Sequence, residues 1–442
     1  MIAAAVATVL GAALSSVLSC LPGLHVYNVM SLLVMGAHAL RAQGHALPAE
    51  VVVPFAIGLT VGYALLSNIP SVLLAAPDES ALFTVLPGQK FLMAGRGYEG
   101  TLITAAGGLA GLCALVLIVG PLAPRLLPAA GMVFRPHTHW ILWCVICFML
   151  MSEWPKGGTR GQAGLRRFSD GWKTTGMGLL TFALSGLLGF LLFYRSPIPI
   201  EAAFQNIMPA FVGLFTLPWL LLNVVSRVEA PPQCVPAGSI GLDAMTLLRG
   251  TFAGCLGGGF AAFFPVITGG VGGLLAGHAT ATRDDRVFLV SQGASKLVYY
   301  VAGLLLLFVP GLGLTRGGAA SMLKGLFVPR TVYDYLLALA SVALAGATAF
   351  LLVSPLTRAV IGLMRRYTYR RMSAAALLAV LALVFGVTGC MGLAVMAVAG
   401  AIGMIPVLYG SRRMNCLGVI LLPMACNMSG AGPTVARWLG LL

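Results

Sequence analysis

Charge is what this chain lacks. Only 9% of its 442 residues are Asp, Glu, Lys or Arg, against roughly 25% in a soluble globular protein. A large core cannot account for the deficit, because surface also grows with size. The deficit excludes a soluble fold, and a lipid-facing surface explains it. Acidic residues are the scarcest, 12 against 27 Lys and Arg, giving a formal net charge of +15. No soluble basic domain exists to carry that charge as a nucleic-acid footprint, so no nucleic-acid partner is expected. Metal-centre spacings are missing too. The six histidines show no HExxH pattern. The nine cysteines fall mostly inside apolar runs (Cys20, Cys113, Cys255, Cys390), and the Cys144/Cys147 pair lies within Trp140–Met151. They read as small buried hydrophobes and not as zinc or redox ligands. No facing aspartate pair and no Ser-His pair is evident, so neither an enzyme nor a cofactor is expected. The opening MIAAAVATVL lacks a basic n-region and reads as part of the mature protein.

What the chain has is hydrophobicity. Apolar residues make up 59%, and the mean hydropathy is +0.96. Apolar runs of about 17–25 residues recur, each long enough to cross a bilayer as a helix. The 56 glycines and 25 prolines do not argue against helices, since membrane helices tolerate both. The expected fold is an all-α polytopic integral membrane protein with short connections and no separate soluble domain.

Basic residues orient the segments. Lys156, Arg160, Arg166, Arg167 and Lys173 fall in an expected loop Ser152–Lys173. Arg358, Arg365, Arg366, Arg370 and Arg371 fall in a second, Pro355–Arg371, and Arg412 with Arg413 form a third basic spot. By the positive-inside rule all three face the cytoplasm. That count works if Leu14–Leu40 and Ala244–His278 are re-entrant or broken hairpins, entering and leaving on one face. Each half then holds a hairpin plus about five crossings. Five is odd, so the halves are inverted-topology repeats, the plan of many secondary transporters. The first repeat covers residues 1–226, the second 243–442, and 227–242 link them.

Both hairpins are interrupted by helix breakers. The first carries Pro22-Gly23-Leu24-His25, followed by Asn28; the second carries Pro265, Thr268, Gly269 and Gly270. Proline removes a backbone donor and clashes with the preceding turn. A break at membrane depth is tolerated only where protein or a water-filled cavity covers it. The N–H groups that open the next half-helix make an anion site; a plain proline kink between packed helices is the alternative. A second cluster is Ser67-Asn68-Ile69-Pro70-Ser71, followed by Asp78 and Glu79 after Pro77. Carboxylates at a broken helix are candidates to couple H⁺ or Na⁺; otherwise they cap the next segment at the membrane face. A third is Ser291–Lys296, with Ser295 and Lys296 as site candidates. Lys296 sits about ten residues into its helix, roughly 15 Å deep in a hydrocarbon core about 30 Å thick. It balances an anion or a carboxylate there, or it reaches water in a vestibule. His278 adds polar lining, and Gly95–Gly100 reads as a structured cytoplasmic connection.

With these residues in hand, the chain resembles the large permease of tripartite tricarboxylate transporters, in particular the stand-alone archaeal-type branch. The matching stretches are Leu21–Val26, Ile69–Leu74, Ala76–Glu79, Val85–Gly88, Gly95–Glu99, Ile402–Pro406 and Met414–Val419. In the second half, the expected Pro-Gly break is replaced by Pro265-Val266. The resemblance implies a carrier of ten to twelve helices for carboxylates, driven by an ion gradient. It also implies a periplasmic binding protein, a small membrane subunit and a place in the inner (cytoplasmic) membrane; a homodimer is a further expectation. The leading reading is a secondary active transporter of an organic anion, with H⁺ or Na⁺ as the coupling ion. The alternative is a translocase of an anionic lipid carrier such as a polyprenyl-phosphate, whose headgroup would occupy the same tips.

Overall fold

The computed structural model describes all residues except 21–24, 46, 75–83, 154, 156–163, 199–205, 227–228, 236–239 and 281–283. Regular structure among the described residues is entirely helical. In chain order the helices are α1 (Ile2–Leu18), α2 (Val26–Ala42), α3 (Ala49–Leu66), α4 (Asn68–Leu73), α5 (Val85–Met93), α6 (Gly97–Ala114) and α7 (Gly120–Phe134). Next come α8 (Thr138–Met151), α9 (Leu165–Tyr194), α10 (Met208–Phe211) and α11 (Leu217–Val225). The second half contains α12 (Ala244–Phe263), α13 (Gly269–Thr280), α14 (Asp285–Leu305), α15 (Gly317–Leu326), α16 (Val332–Arg366), α17 (Tyr369–Tyr409), α18 (Gly418–Met428) and α19 (Gly432–Trp438). Among the described residues, seven helical stretches are long and apolar enough to cross a bilayer. An eighth is reached if the pair Arg413–Met428 and Gly432–Trp438, bent by 117°, is one span.

Helices extend into both expected loops. Pro355–Arg371 is the end of α16 and the start of α17, joined at Tyr367 and Thr368. Pro355 lies inside α16, as membrane helices allow when neighbours re-satisfy the freed carbonyl. In the expected loop Ser152–Lys173, α9 starts at Leu165, so Arg166, Arg167 and Lys173 ride on its first turns. Within α17, Gly389 leaves helical geometry at φ 66° and ψ −163°, so the helix is kinked there.

The chain divides into two compact units. One holds Met1–Arg135 and Asn223–Ala376; the other holds Pro136–Leu222 and Leu377–Leu442. The segments expected to form the two broken hairpins, α1 with α2 and α12 with α13, belong to the first unit; α12 packs along α13, whereas α1 and α2 scarcely touch each other and pack on other helices. The unit's two most extensive helix pairings are α12 with α14 and α1 with α3. In each, the first arm of a hairpin packs on the helix that follows the hairpin. Glycine makes both pairings close. A Cβ on Gly58 would collide with the Thr8 carbonyl, and one on Gly11 with the Phe55 carbonyl. On α12, side chains at Gly250, Gly254 and Gly258 would strike α14 at Val290, Ser291 and Ser295. Without a hydrophobic driving force between helices in lipid, such small-residue contacts supply much of the packing energy. On its other side α14 meets α6, where a Cβ on Gly293 would run into the Thr104 carbonyl.

The second unit has its own polar anchor. Glu153, buried, accepts hydrogen bonds from the Arg412 backbone N–H at 2.5 Å and the Asn415 side chain at 3.2 Å. Arg413 lies over the Trp219 ring, 4.7 Å from its centroid, and donates to the Phe215 carbonyl at 3.2 Å. The third basic spot therefore serves at least partly as an internal brace.

Candidate functional site

The site is built around α14, whose start is fixed from several directions. Asp284 caps the helix by accepting from the Arg286 backbone at 2.8 Å. The Arg286 guanidinium donates to the Gly241 carbonyl at 2.7 Å and pairs with Glu99 at 3.2 Å. Glu99 also takes a two-pronged bond from Arg96, at 2.7 and 2.6 Å. That bond holds the Arg96 guanidinium above its ordinary pKa. Gln233 ties the same corner down, accepting from the Gly97 N–H at 2.8 Å and donating to the Leu92 carbonyl at 3.0 Å. The stretch Gly95–Gly100, expected to be a connection, is a turn only as far as Arg96; from Gly97 it is the first turn of α6, and its Glu99 helps to fix where α14 begins. The more exposed Lys90–Asp285 pair at 2.9 Å adds little to stability.

Farther along, α14 is almost wholly buried, and it serves both hairpins. Lys296 is 1% exposed, with its ammonium 5.8 Å from the centroid of the Tyr63 ring on α3. One turn on, where i and i+4 share a face, the Tyr300 hydroxyl lies 2.7 Å from His25 Nε2. His25 is also the N-cap of α2, its Nδ1 accepting from the Tyr27 backbone at 3.2 Å. With Nδ1 as an acceptor, the neutral ring carries its proton on Nε2 and donates to Tyr300. The His25 ring packs against Tyr27, Tyr63 and Tyr300, at centroid distances of 4.4, 5.4 and 5.8 Å. The Tyr27 ring lies over the start of α15, where a side chain at Gly318 would come within 2.8 Å of it. Four elements therefore assemble one cluster: the α2 tip, α3, α14 and α15.

The neighbouring residue, Ser295, serves the second hairpin. Its hydroxyl donates to the Gly269 carbonyl at 3.4 Å, and Gln292 donates to the Gly273 carbonyl at 3.2 Å. Here the chain turns from α12 into α13 through Phe264, Pro265, Val266, Ile267 and Thr268. Val266 has φ +66° and is the only non-glycine at positive φ among the described residues. The Thr268 hydroxyl is buried without a hydrogen-bond partner among the described residues. At the far side of the turn, the Phe263 carbonyl, freed at the end of α12, accepts from Arg316 Nε at 2.9 Å.

The expected site residues thus fall into three groups. His25 and Lys296 join the aromatic cluster, and Asn28 is buried one turn into α2. Pro265, Thr268, Gly269, Gly270 and Ser295 form or touch the second tip. Ser67 and Asn68 sit at the α3–α4 break and largely serve backbone. Ser67 donates to the Tyr63 carbonyl at 2.6 Å and Asn68 to the Leu65 carbonyl at 3.1 Å, while the Asn68 side-chain oxygen is buried without a partner. Pro22, Gly23, Leu24, Asp78 and Glu79 lie outside the described residues. His278, on the last turn of α13, is exposed and lies 3.0 Å from the Leu274 carbonyl. The residues that sequence reasoning passed over are Tyr27, Tyr63 and Tyr300. Tyr300 had a legible signal, its helical spacing from Lys296; Tyr63 had none, since only the fold brings α3 to α14.

Comparison with known proteins fits this architecture. Residues 5–418 match the tripartite tricarboxylate transporter TctA family. The chain belongs to that family. It is therefore a multi-span membrane protein of a transporter family whose name denotes tricarboxylate substrates, and its members are transporters rather than enzymes. An uncharacterized protein of the archaeon Methanocaldococcus jannaschii is 23% identical over 365 residues, covering 83% of each chain. That likeness agrees with the stand-alone archaeal-type branch. No solved structure matches the chain.

Proposed function

We propose that this protein is a secondary active transporter of an organic anion of the carboxylate class. The substrate binds between the two hairpin tips, at the cluster of His25, Tyr63, Tyr300 and Lys296. The observation that carries the reading is the position of Lys296. A buried ammonium costs several kcal/mol in lost hydration, and intramembrane cations mark substrate or ion pathways by default. Beside it stand tyrosine hydroxyls, that of Tyr300 taking the His25 N–H and so left with its own proton to donate, a donor suited to carboxylate oxygens. Asp78 and Glu79 are the proposed coupling residues for H⁺ or Na⁺, on the strength of their place in the sequence after the α3–α4 break.

Two inverted repeats are part of the same proposal. Support comes from the matched pairings of α1 with α3 and α12 with α14, and from both compact units drawing on both halves of the chain. The proposed location is the inner membrane of a prokaryotic cell, with a periplasmic binding protein, a small membrane subunit or a second copy of the chain as partners.

The test is uptake of a labelled tricarboxylate into proteoliposomes under an imposed sodium or pH gradient. Lys296→Met is expected to lower uptake by more than about tenfold, as when one partner of a buried charge pair is removed. The melting temperature of the variant is measured alongside, so that lost uptake is distinguished from lost fold. Uptake at the wild-type rate would overturn the site.

A further inference from the structure

A cavity of about 330 Å³ lies in the first unit behind the second hairpin tip. Its walls include Leu115, Val119, Phe134, Gly259, Phe264 and Ala302, from the α6–α7 stretch, α12 and α14, and every lining residue is apolar. It opens on the lipid-facing side: Val119 and Phe134 are 42% and 40% exposed, and the adjoining Leu117 and Ile118 are more exposed still. In a membrane, an apolar opening of this kind faces acyl chains, and a chain that enters it gains packing contacts with the walls rather than a transfer energy from water.

One end of the cavity is cationic. The Phe134 ring packs edge-on against Phe263 and Phe264, at 6.0 and 5.6 Å, and the next residue is Arg135. Arg316 is held at the same end by its 2.9 Å bond to the Phe263 carbonyl. Burial, and then the nearby charge of Arg135, push the Arg316 guanidinium below its ordinary pKa. Two guanidiniums that feel each other repel, and an anion shared between them relieves that repulsion. An apolar slot ending in a pair of arginines matches a lipid whose phosphate headgroup is net negative better than it matches a soluble anion, a zwitterionic lipid or a neutral alkane.

We propose that this groove binds an anionic phospholipid, with one acyl chain in the slot and the phosphate across Arg135 and Arg316. The site is separate from the Lys296 cluster and does not depend on the proposed transport reading. Bound there, the lipid would support Phe263 and Phe264, the residues that lead into the Pro265-Val266 turn.

The experiment is native mass spectrometry of the full-length, delipidated protein, titrated in parallel with phosphatidylglycerol and phosphatidylcholine. Wild type should retain phosphatidylglycerol about tenfold better, because its headgroup carries a net negative charge, whereas the choline of phosphatidylcholine cancels the charge of its phosphate. Gly259→Phe should lower retention of both lipids. A Cβ at Gly259 meets nothing within 4 Å, so the larger side chain enters the groove without displacing a neighbouring helix. Arg135→Gln, on an exposed turn, should remove the preference for phosphatidylglycerol while leaving phosphatidylcholine retention unchanged. Equal retention of the two lipids by wild type would overturn the proposal, marking the bound lipid as nonspecific. So would an unchanged phosphatidylglycerol preference in Arg135→Gln, even if Gly259→Phe failed to fold.

Discussion

The α1–α2 and α12–α13 segments each pack their first helix on the helix that follows the segment, and they differ in whether their own two helices pack together and in what holds the chain where the second helix begins. The first ends in side chains: His25 caps α2 with one ring nitrogen and reaches Tyr300 with the other, among Tyr27 and Tyr63. The second ends in backbone and small residues. Its turn is made by Pro265 and a left-handed Val266, and its polar contacts run to the Gly269 and Gly273 carbonyls. A tip that recognises through side chains can be retuned by substitution. A tip that recognises through backbone can be retuned only by moving the helix.

The largest effects should come from the shared packing plan. Gly58→Val on α3 would strike the Thr8 carbonyl, and Gly254→Val on α12 would strike the Ser291 carbonyl. Neither neighbour is a flexible side chain that could swing aside. Overpacking of this kind costs about 1–3 kcal/mol, sometimes more, and here it also separates a hairpin from its supporting helix. Both variants should lower the yield of monodisperse protein and depress the melting temperature, to similar extents. If one site tolerates valine and the other does not, the two hairpins are not built alike.

A smaller effect separates the two jobs of His25. His25→Asn keeps a side chain that caps helix N-termini well, whereas His25→Ala loses the cap at a cost of about 0.5–2 kcal/mol. Asparagine is too short to span from the cap to Tyr300. The melting temperature of His25→Asn should therefore stay near wild type while tricarboxylate uptake falls; His25→Ala should lose both. Equal uptake in His25→Asn and wild type would reduce His25 to a capping residue. The first tip would then resemble the second, with its chemistry in the backbone.

How much of this was legible in the sequence follows from the physics of each signal. Composition and run length gave the all-helical membrane class, because the bilayer imposes them on every span. The end of α12 at Phe263, just before Pro265, was legible because proline acts locally. The helical continuity through Pro355 was not, because a proline breaks or merely bends a membrane helix according to its neighbours. The division into two compact units, each drawing on both ends of the chain, has no local signature at all. Within the site, Lys296 stood out as a charge at membrane depth. Tyr63 did not, since a tyrosine in an apolar helix carries no sign of its partner until α3 and α14 are brought together.

The smallest effect tests the second tip through the residue that departs from the expected Pro-Gly pattern. Val266 holds φ +66°, a conformation in which a β-branched residue is crowded, at a cost of roughly 1–2 kcal/mol. The backbone therefore has the geometry glycine prefers, although the sequence places valine there. Val266→Gly removes the crowding but frees the unfolded chain, which offsets about 0.5–1 kcal/mol. Val266 is only half-buried, so little packing is lost. The net expectation is a gain of up to about 1 kcal/mol, read as a small rise in melting temperature in detergent. If the turn must instead stay strained for the tip to move, the same variant should slow uptake while raising stability. A fall in melting temperature would show that valine's packing outweighs its strain, and that the second tip, like the first, depends on its side chains.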